Sequence, residues 1–164
     1  DLLLKKTLKD IYSLRLVNAA ACLLTSKTFE TVGGFQQMFF LYGEDYNYCK
    51  RVLYHGFKIG ICPTTFICHD SNLNYHTQKT EGSEAYYNKF LNQIRVKYAN
   101  VKAEEFSKFS RLKSFYIKRI VKSLIKFKFG KARVNWHKMN LIKGLDFSDD
   151  IEKGRKINNN YLEK

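Results

Sequence analysis

This 164-residue sequence predicts a partial α/β fold of short strands and helices, followed by a basic helical region. Three observations lead there. Across residues 2–69 the apolar residues switch between helical spacing and continuous strand-like runs. From residue 84 the helical spacing continues alone, with basic residues interleaved. The chain holds one proline, Pro63, so breaks in regular structure fall to glycine and polar turns.

Taken in order, Leu4, Leu8, Ile11 and Leu14 recur at helical spacing and predict a helix over 2–15. The run "LVNAAACLLTS" (16–26) is small and apolar, which predicts a buried strand ending at Ser26 as N-cap of a short helix, "KTFETV". Gly33-Gly34 stop that helix. An aromatic loop leads into "EDYNYCKRVLYHG", where Tyr46, Cys49, Val52 and Leu53 fall on one face and Gly56 marks the C-terminal stop. "FKIGICPTTFICH" returns to strand-like sequence, and Pro63 confines it to an edge, a break or a bulge. Ser83 caps a helix through residue 101, and residues 104–130 predict a longer one closed by Gly130. The polar tail from Phe147 onward is expected to fray. The organisation expected is a first domain over 1–101 and a basic extension over 102–164.

With 45% hydrophobic and 15% aromatic residues the chain can fill a core, which excludes wholesale disorder. Its formal charge of +14 favours anionic partners: nucleic acid, acidic lipid headgroups or phosphate-bearing substrates. Cys22, Cys49, Cys62 and Cys68 show no C-x-x-C spacing and lie among apolar residues, so buried free thiols in a reducing compartment are expected, without disulfide or zinc. No apolar run approaches the roughly 20 residues that span a bilayer, and "DLLLKKTLKD" is too broken by charge for a signal peptide. The expected location is cytoplasmic, peripheral at the cytoplasmic membrane face where it meets lipid.

Glu44 and Asp45 stand at the predicted start of a helix in this basic chain. One account is electrostatic, since the partial positive charge at a helix N-terminus favours carboxylates by about 0.3–1 kcal/mol. The other is chemical: a carboxylate at the lip of a strand-loop-helix turn can take a proton from a substrate hydroxyl. Gly33, Gly34 and Gly43 free the loop backbone, and Phe35, Phe39, Phe40, Leu41 and Tyr42 can anchor it, which suits a device for placing the pair. Arg51, two turns on, either points toward phosphates or pairs within its own helix. His69 reads as a strand-end histidine or a site residue.

These pieces, "AACLLTS", "VGGF" (32–35), "FFLYGED" (39–45), "RVLYHG" (51–56) and "KIGICPTTFICH" (58–69), stand in an order that resembles the later half of the family 2 glycosyltransferases of GT-A fold. The resemblance covers residues 19–70. It implies inverting transfer of a sugar from a nucleotide-sugar donor to a saccharide or lipid-linked acceptor, in the manner of cell-surface polysaccharide synthesis. By the family pattern Asp45 is the base, while Glu44, Tyr42 and Phe40 contact the acceptor. His69 would meet a divalent metal, Mg2+ or Mn2+, or the diphosphate, with Asp70 orienting its ring.

A D-x-D motif is absent from the sequence, as is the strand-helix series that binds the nucleotide in this family. With Asp1 in place of a starting Met, we expect a C-terminal piece of a longer transferase that is inactive alone and binds no metal alone. The rival reading is a binding module. Aromatic and aliphatic residues alternate with lysine and arginine over 106–128, which suits an anionic membrane surface. Packing of that helix on the domain's own core is the plainer account. Nucleic acid is the weaker partner, because no helix-turn-helix, RNA-binding signature or zinc spacing accompanies the charge.

Overall fold

Helix ends in this chain are fixed by a few side chains and by residues that accept a left-handed backbone. The computed structural model describes residues 11–39, 42–64, 67–68, 80–102 and 108–157. These form six helices and one two-stranded antiparallel sheet, so the described chain is mostly helical and compatible with a partial α/β fold. It divides into two units, 1–76 with 153–164 and 77–152.

In the first unit, strand β1 (Tyr12–Leu14) pairs with β2 (Ile59–Ile61), placing Ser13 opposite Gly60. Helices α1 (Ser26–Val32) and α2 (Glu44–Tyr54) lie between them in sequence. Thr25, not Ser26, caps α1: its Oγ1 accepts from the Thr28 N–H at 3.1 Å. Gly33, at φ 76°, ends the helix as its spacing predicts. Helix α2 stops in a Schellman turn, with Gly56 N–H donating to the Leu53 carbonyl, Phe57 N–H to that of Val52, and Gly56 at φ 80°. Val32, Tyr48, Cys49, Val52 and Ile59 form the buried cluster, with Val17 and Phe57 packed against it.

Two expectations fail in this unit. The helix read over 2–15 lies outside the described residues up to Asp10, and at Tyr12–Leu14 the chain is a strand, because pairing with β2 overrides local spacing. The buried strand read over 16–26 does not form, and Leu16 and Leu23 are exposed. Asn18 Oδ1 accepts from the Ala20 N–H at 3.0 Å, a local turn that removes the backbone from any ladder. Strand β2 ends two residues before Pro63, whose missing N–H cannot extend a ladder.

The second unit contains α3 (Glu84–Tyr98), α4 (Ser110–Ile125), α5 (Phe129–Lys143) and the first turns of α6 (Ser148–Arg155). Ser83 caps α3 as read, accepting from the Tyr86 N–H at 3.2 Å. The helices α4 and α5 pack as a hairpin, and α3 packs on α5. Rings build the interior: Phe90 meets Tyr116 edge-on at 5.8 Å, and Phe109 lies 5.3 Å from both Tyr98 and Phe147.

The long helix read to Gly130 breaks earlier. Phe127 N–H donates to the Leu124 carbonyl and Lys128 N–H to that of Ser123, both at 2.9 Å, closing α4 with Phe127 at φ 52°. Gly130 falls in the first turn of α5. The tail read as fraying is helical through Arg155, because Phe147 and Ile151 are buried and Asp146 Oδ1 accepts from Ser148 N–H at 2.9 Å. Acidic Asp149 and Asp150 in its first turn and Lys153 and Arg155 in its last match the helix dipole.

A Cβ on Gly60 would collide with Ile11 Cγ2 and stand 3.0 Å from the Tyr12 carbonyl oxygen. Gly60→Ala is therefore expected to weaken the β1–β2 pair by about 1–3 kcal/mol. Faster hydrogen exchange at the paired amides of both strands is the reading that checks it; unchanged protection would mean β1 moves aside freely.

Candidate active site

The approach to α2 turns sharply before the acidic pair. Tyr42 at φ 68° and Gly43 at φ 100° both occupy the left-handed region, and Gly43 is the N-cap residue without a side-chain cap. The orphan N–H groups of the first turn therefore meet Glu44 and Asp45, both half-buried. Asp45 Oδ1 accepts from the Tyr46 N–H at 2.6 Å, and Oδ2 makes no hydrogen bond to a described residue. Tyr42 projects into solvent, 72% exposed.

One turn into α2, Tyr48 lies on the same face as Glu44. Two of their atoms, Glu44 Oε2 and Tyr48 Oη, are buried without a hydrogen-bond partner among the described residues. Leaving such a group unmade costs about 1–3 kcal/mol. Burial pushes the Tyr48 phenol above its ordinary value, opposed by the nearby Arg51 charge. Its ring packs 4.9 Å from that of Phe35, which ties the start of the aromatic loop to α2.

Arg51 supplies the second tie, and it points inward. Fully buried at 0% exposure, it donates from Nη1 to the Val32 carbonyl at 2.8 Å and from Nη2 to the Gly34 carbonyl at 2.6 Å. Its Nε donates to Asn47 Oδ1 at 3.0 Å, and its guanidinium lies 4.9 Å from the Tyr48 ring centroid. The partnership within its own helix is the one that forms; the phosphate-directed alternative does not. A cation on the last carbonyls of α1 also suits that helix's dipole.

Of the other residues singled out, Phe40, His69 and Asp70 lie outside the described residues. His55 Nε2 is 3.0 Å from the Gly154 carbonyl, so the ring carries its proton there and anchors the C-terminal segment. The thiols depart from expectation: Cys49 is buried, but Cys22, Cys62 and Cys68 are exposed, because residues 16–26 form no strand and the chain beyond Ile61 leaves the sheet. Among the described residues no three His, Cys, Asp or Glu side chains converge as a metal site.

Comparisons with known protein families, with curated proteins and with solved structures return no match to this chain.

Two residues that the sequence reading left without a site role, Tyr48 and Asn47, belong to this arrangement. The signal was present as spacing, since Glu44 with Tyr48 and Asn47 with Arg51 are both i,i+4 pairs. What spacing alone did not give is that both pairs are desolvated.

Lysine cannot bridge two carbonyls and an amide as the guanidinium fork does. Arg51→Lys is expected to destabilise the first unit by about 3 kcal/mol, two or three buried acceptors losing their donors. Urea unfolding followed by circular dichroism measures it, and a loss below about 1 kcal/mol would show that water replaces the clamp.

Burial also raises the Cys49 thiol, with its contact to the Val17 carbonyl at 3.8 Å pulling the other way. A raised acid keeps its proton when folded, so its contribution is intact below the unfolded thiol's ordinary value and is lost as pH climbs through the folded one. Melting temperature should fall on the alkaline side, and Cys49→Ala should flatten the onset of that fall. An identical pH slope in the variant would assign the loss to the tyrosines.

Proposed function

We propose that this chain is the acceptor-side part of an inverting glycosyltransferase, with Asp45 as the general base. The observation that carries the reading is the α2 entrance. A half-buried carboxylate, whose Oδ2 makes no hydrogen bond to a described residue, shares the first turns of α2 with two buried polar atoms, Glu44 Oε2 and Tyr48 Oη, that a saccharide's hydroxyls would satisfy. The order of motifs over residues 19–70 supplies the reaction class.

In this reading an acceptor hydroxyl oxygen attacks the anomeric carbon of a nucleotide sugar. The new C–O bond forms as the bond to the nucleoside diphosphate breaks, and the hydroxyl proton passes to Asp45. Glu44 and Tyr48 orient the acceptor, and the exposed Tyr42 forms a wall against which a sugar ring lies. Arg51 acts at one remove as a positioning residue, fixing α2 against Val32 and Gly34 so that the carboxylate keeps its place. Donor recognition, and the Mg2+ or Mn2+ that assists it in this family, fall to residues beyond the described site.

The 164-residue chain alone is expected to turn over no nucleotide sugar in the presence of either cation. Joined to a donor-binding half, Asp45→Asn should lower kcat by about 10²–10⁴, the usual contribution of a general base, while costing no more than about 1 kcal/mol of stability, the dipole interaction of one carboxylate. Tyr48→Phe should separate binding from folding. Removing an unsatisfied hydroxyl stabilises the chain by about 1 kcal/mol, yet raises KM for the acceptor. Near-normal kcat in Asp45→Asn would remove Asp45 from the role.

A further inference from the structure

Apart from any transfer chemistry, the α4–α5 hairpin presents a surface of its own. On α4 the inner positions Leu112, Tyr116 and Ile120 face the second unit's core, and Tyr116 is buried. A flanking face, about 100° round the helix, carries Ile117, Val121 and Ile125, each four residues apart and at least half exposed. Beside that row runs a second one, Lys118, Lys122 and Lys126, in the same register. Together the six line an open groove of about 320 Å³. Between Glu105 and Asp146 the chain carries no acidic residue.

The hairpin's turn continues the pattern. Phe127 is 80% exposed and Phe129 64%, with their rings 6.3 Å apart between Lys126, Lys128 and Lys131. Phe127 occupies the left-handed position of a Schellman turn, where glycine carries no Cβ penalty. The backbone thus bears strain that holds a phenyl ring outward, into water.

We propose that this face, the α4 outer row with the Phe127–Phe129 tip, docks on an anionic lipid bilayer surface. The charge opposes a symmetric pairing of this face with a second copy of the chain, because two lysine rows would meet. It requires a partner that is anionic along the whole length of α4. A bilayer interface meets both demands: the aliphatic row and the two rings enter the headgroup–acyl boundary, and the adjacent lysines stay at the phosphates. A nucleic acid would neutralise the lysines and leave Ile117, Val121 and Ile125 wet.

Co-sedimentation of the full chain with vesicles tests this, using phosphatidylglycerol blended into phosphatidylcholine against phosphatidylcholine alone, at low and physiological salt. Binding should need the anionic lipid and weaken with salt. Lys118→Gln/Lys122→Gln/Lys126→Gln should weaken it on the order of 100-fold, each cation near the surface contributing about a factor of five. Phe127→Gly is the decisive variant. It should lower vesicle affinity about fivefold while the melting temperature stays level or rises, since the strain at φ 52° is relieved. Equal binding to neutral vesicles would overturn the proposal. So would an unchanged affinity in Phe127→Gly together with Ile125→Ser, or single-stranded RNA bound more tightly than vesicles with the same sensitivity to those substitutions.

Discussion

The Arg51 guanidinium is the constraint on which the first unit depends. That unit's buried cluster is small: Val32, Tyr48, Cys49, Val52 and Ile59. At about 1.5–3 kcal/mol for each large side chain fully buried, so few residues can draw α1 and α2 together but cannot fix their angle, because the hydrophobic effect is not directional. Three directed hydrogen bonds from one planar fork can. By spanning the Val32 and Gly34 carbonyls, Arg51 ties the end of α1 and the start of the aromatic loop to the last turn of α2. The cost is a buried charge, which the carbonyl dipoles, Asn47 and the Tyr48 ring offset. The acidic pair at the other end of α2 inherits its placement from this tie.

The described residues hold two non-glycine positions with positive φ, and both are exposed aromatic residues beside a helix end. Tyr42 precedes α2 and Phe127 follows α4. An L-residue in that region is disfavoured by about 1–2 kcal/mol, and glycine would serve the turn better at each place. Local stability therefore does not account for the choice of tyrosine or phenylalanine. In both cases the retained strain carries a ring to the solvent side of a turn, one beside carboxylates and one beside lysines. The chemistry of the neighbours, not the backbone device, separates the proposed acceptor wall from the proposed lipid contact.

Local signals in the sequence were legible where a single residue decides the outcome. Gly33 and Gly56 stop their helices and Ser83 starts one because each acts through its own backbone or hydroxyl group. Errors arose where a distant partner decides. Nothing near Tyr12 announces Ile61, and nothing in "LVNAAACLLTS" reveals that Asn18 closes a turn on Ala20 in place of a ladder. The break at Phe127 was hidden because the residue that takes the left-handed position is not a glycine. The polar tail looked unstructured because only Phe147 and Ile151 hold it, two apolar residues in a charged segment. At the site, the acidic pair was legible from its helix start. The inward course of Arg51 was not, since the same i,i+4 spacing serves a solvated helix face equally well.

The proposed base and the proposed lipid-docking face belong to different units. Basic residues concentrate on α4 and α5 of the second unit, while the acidic pair sits on α2 of the first. A basic surface close to a base would lower the base's proton affinity and weaken it, because an adjacent cation favours the carboxylate. Within α2 the buried Arg51 spends its charge on the Val32 and Gly34 carbonyls. The two proposed activities are separable in kinetics. Surface docking, as proposed, would concentrate an acceptor that resides in a membrane and act on KM, whereas the proposed proton removal at Asp45 would act on kcat. Loss of either leaves the other measurable.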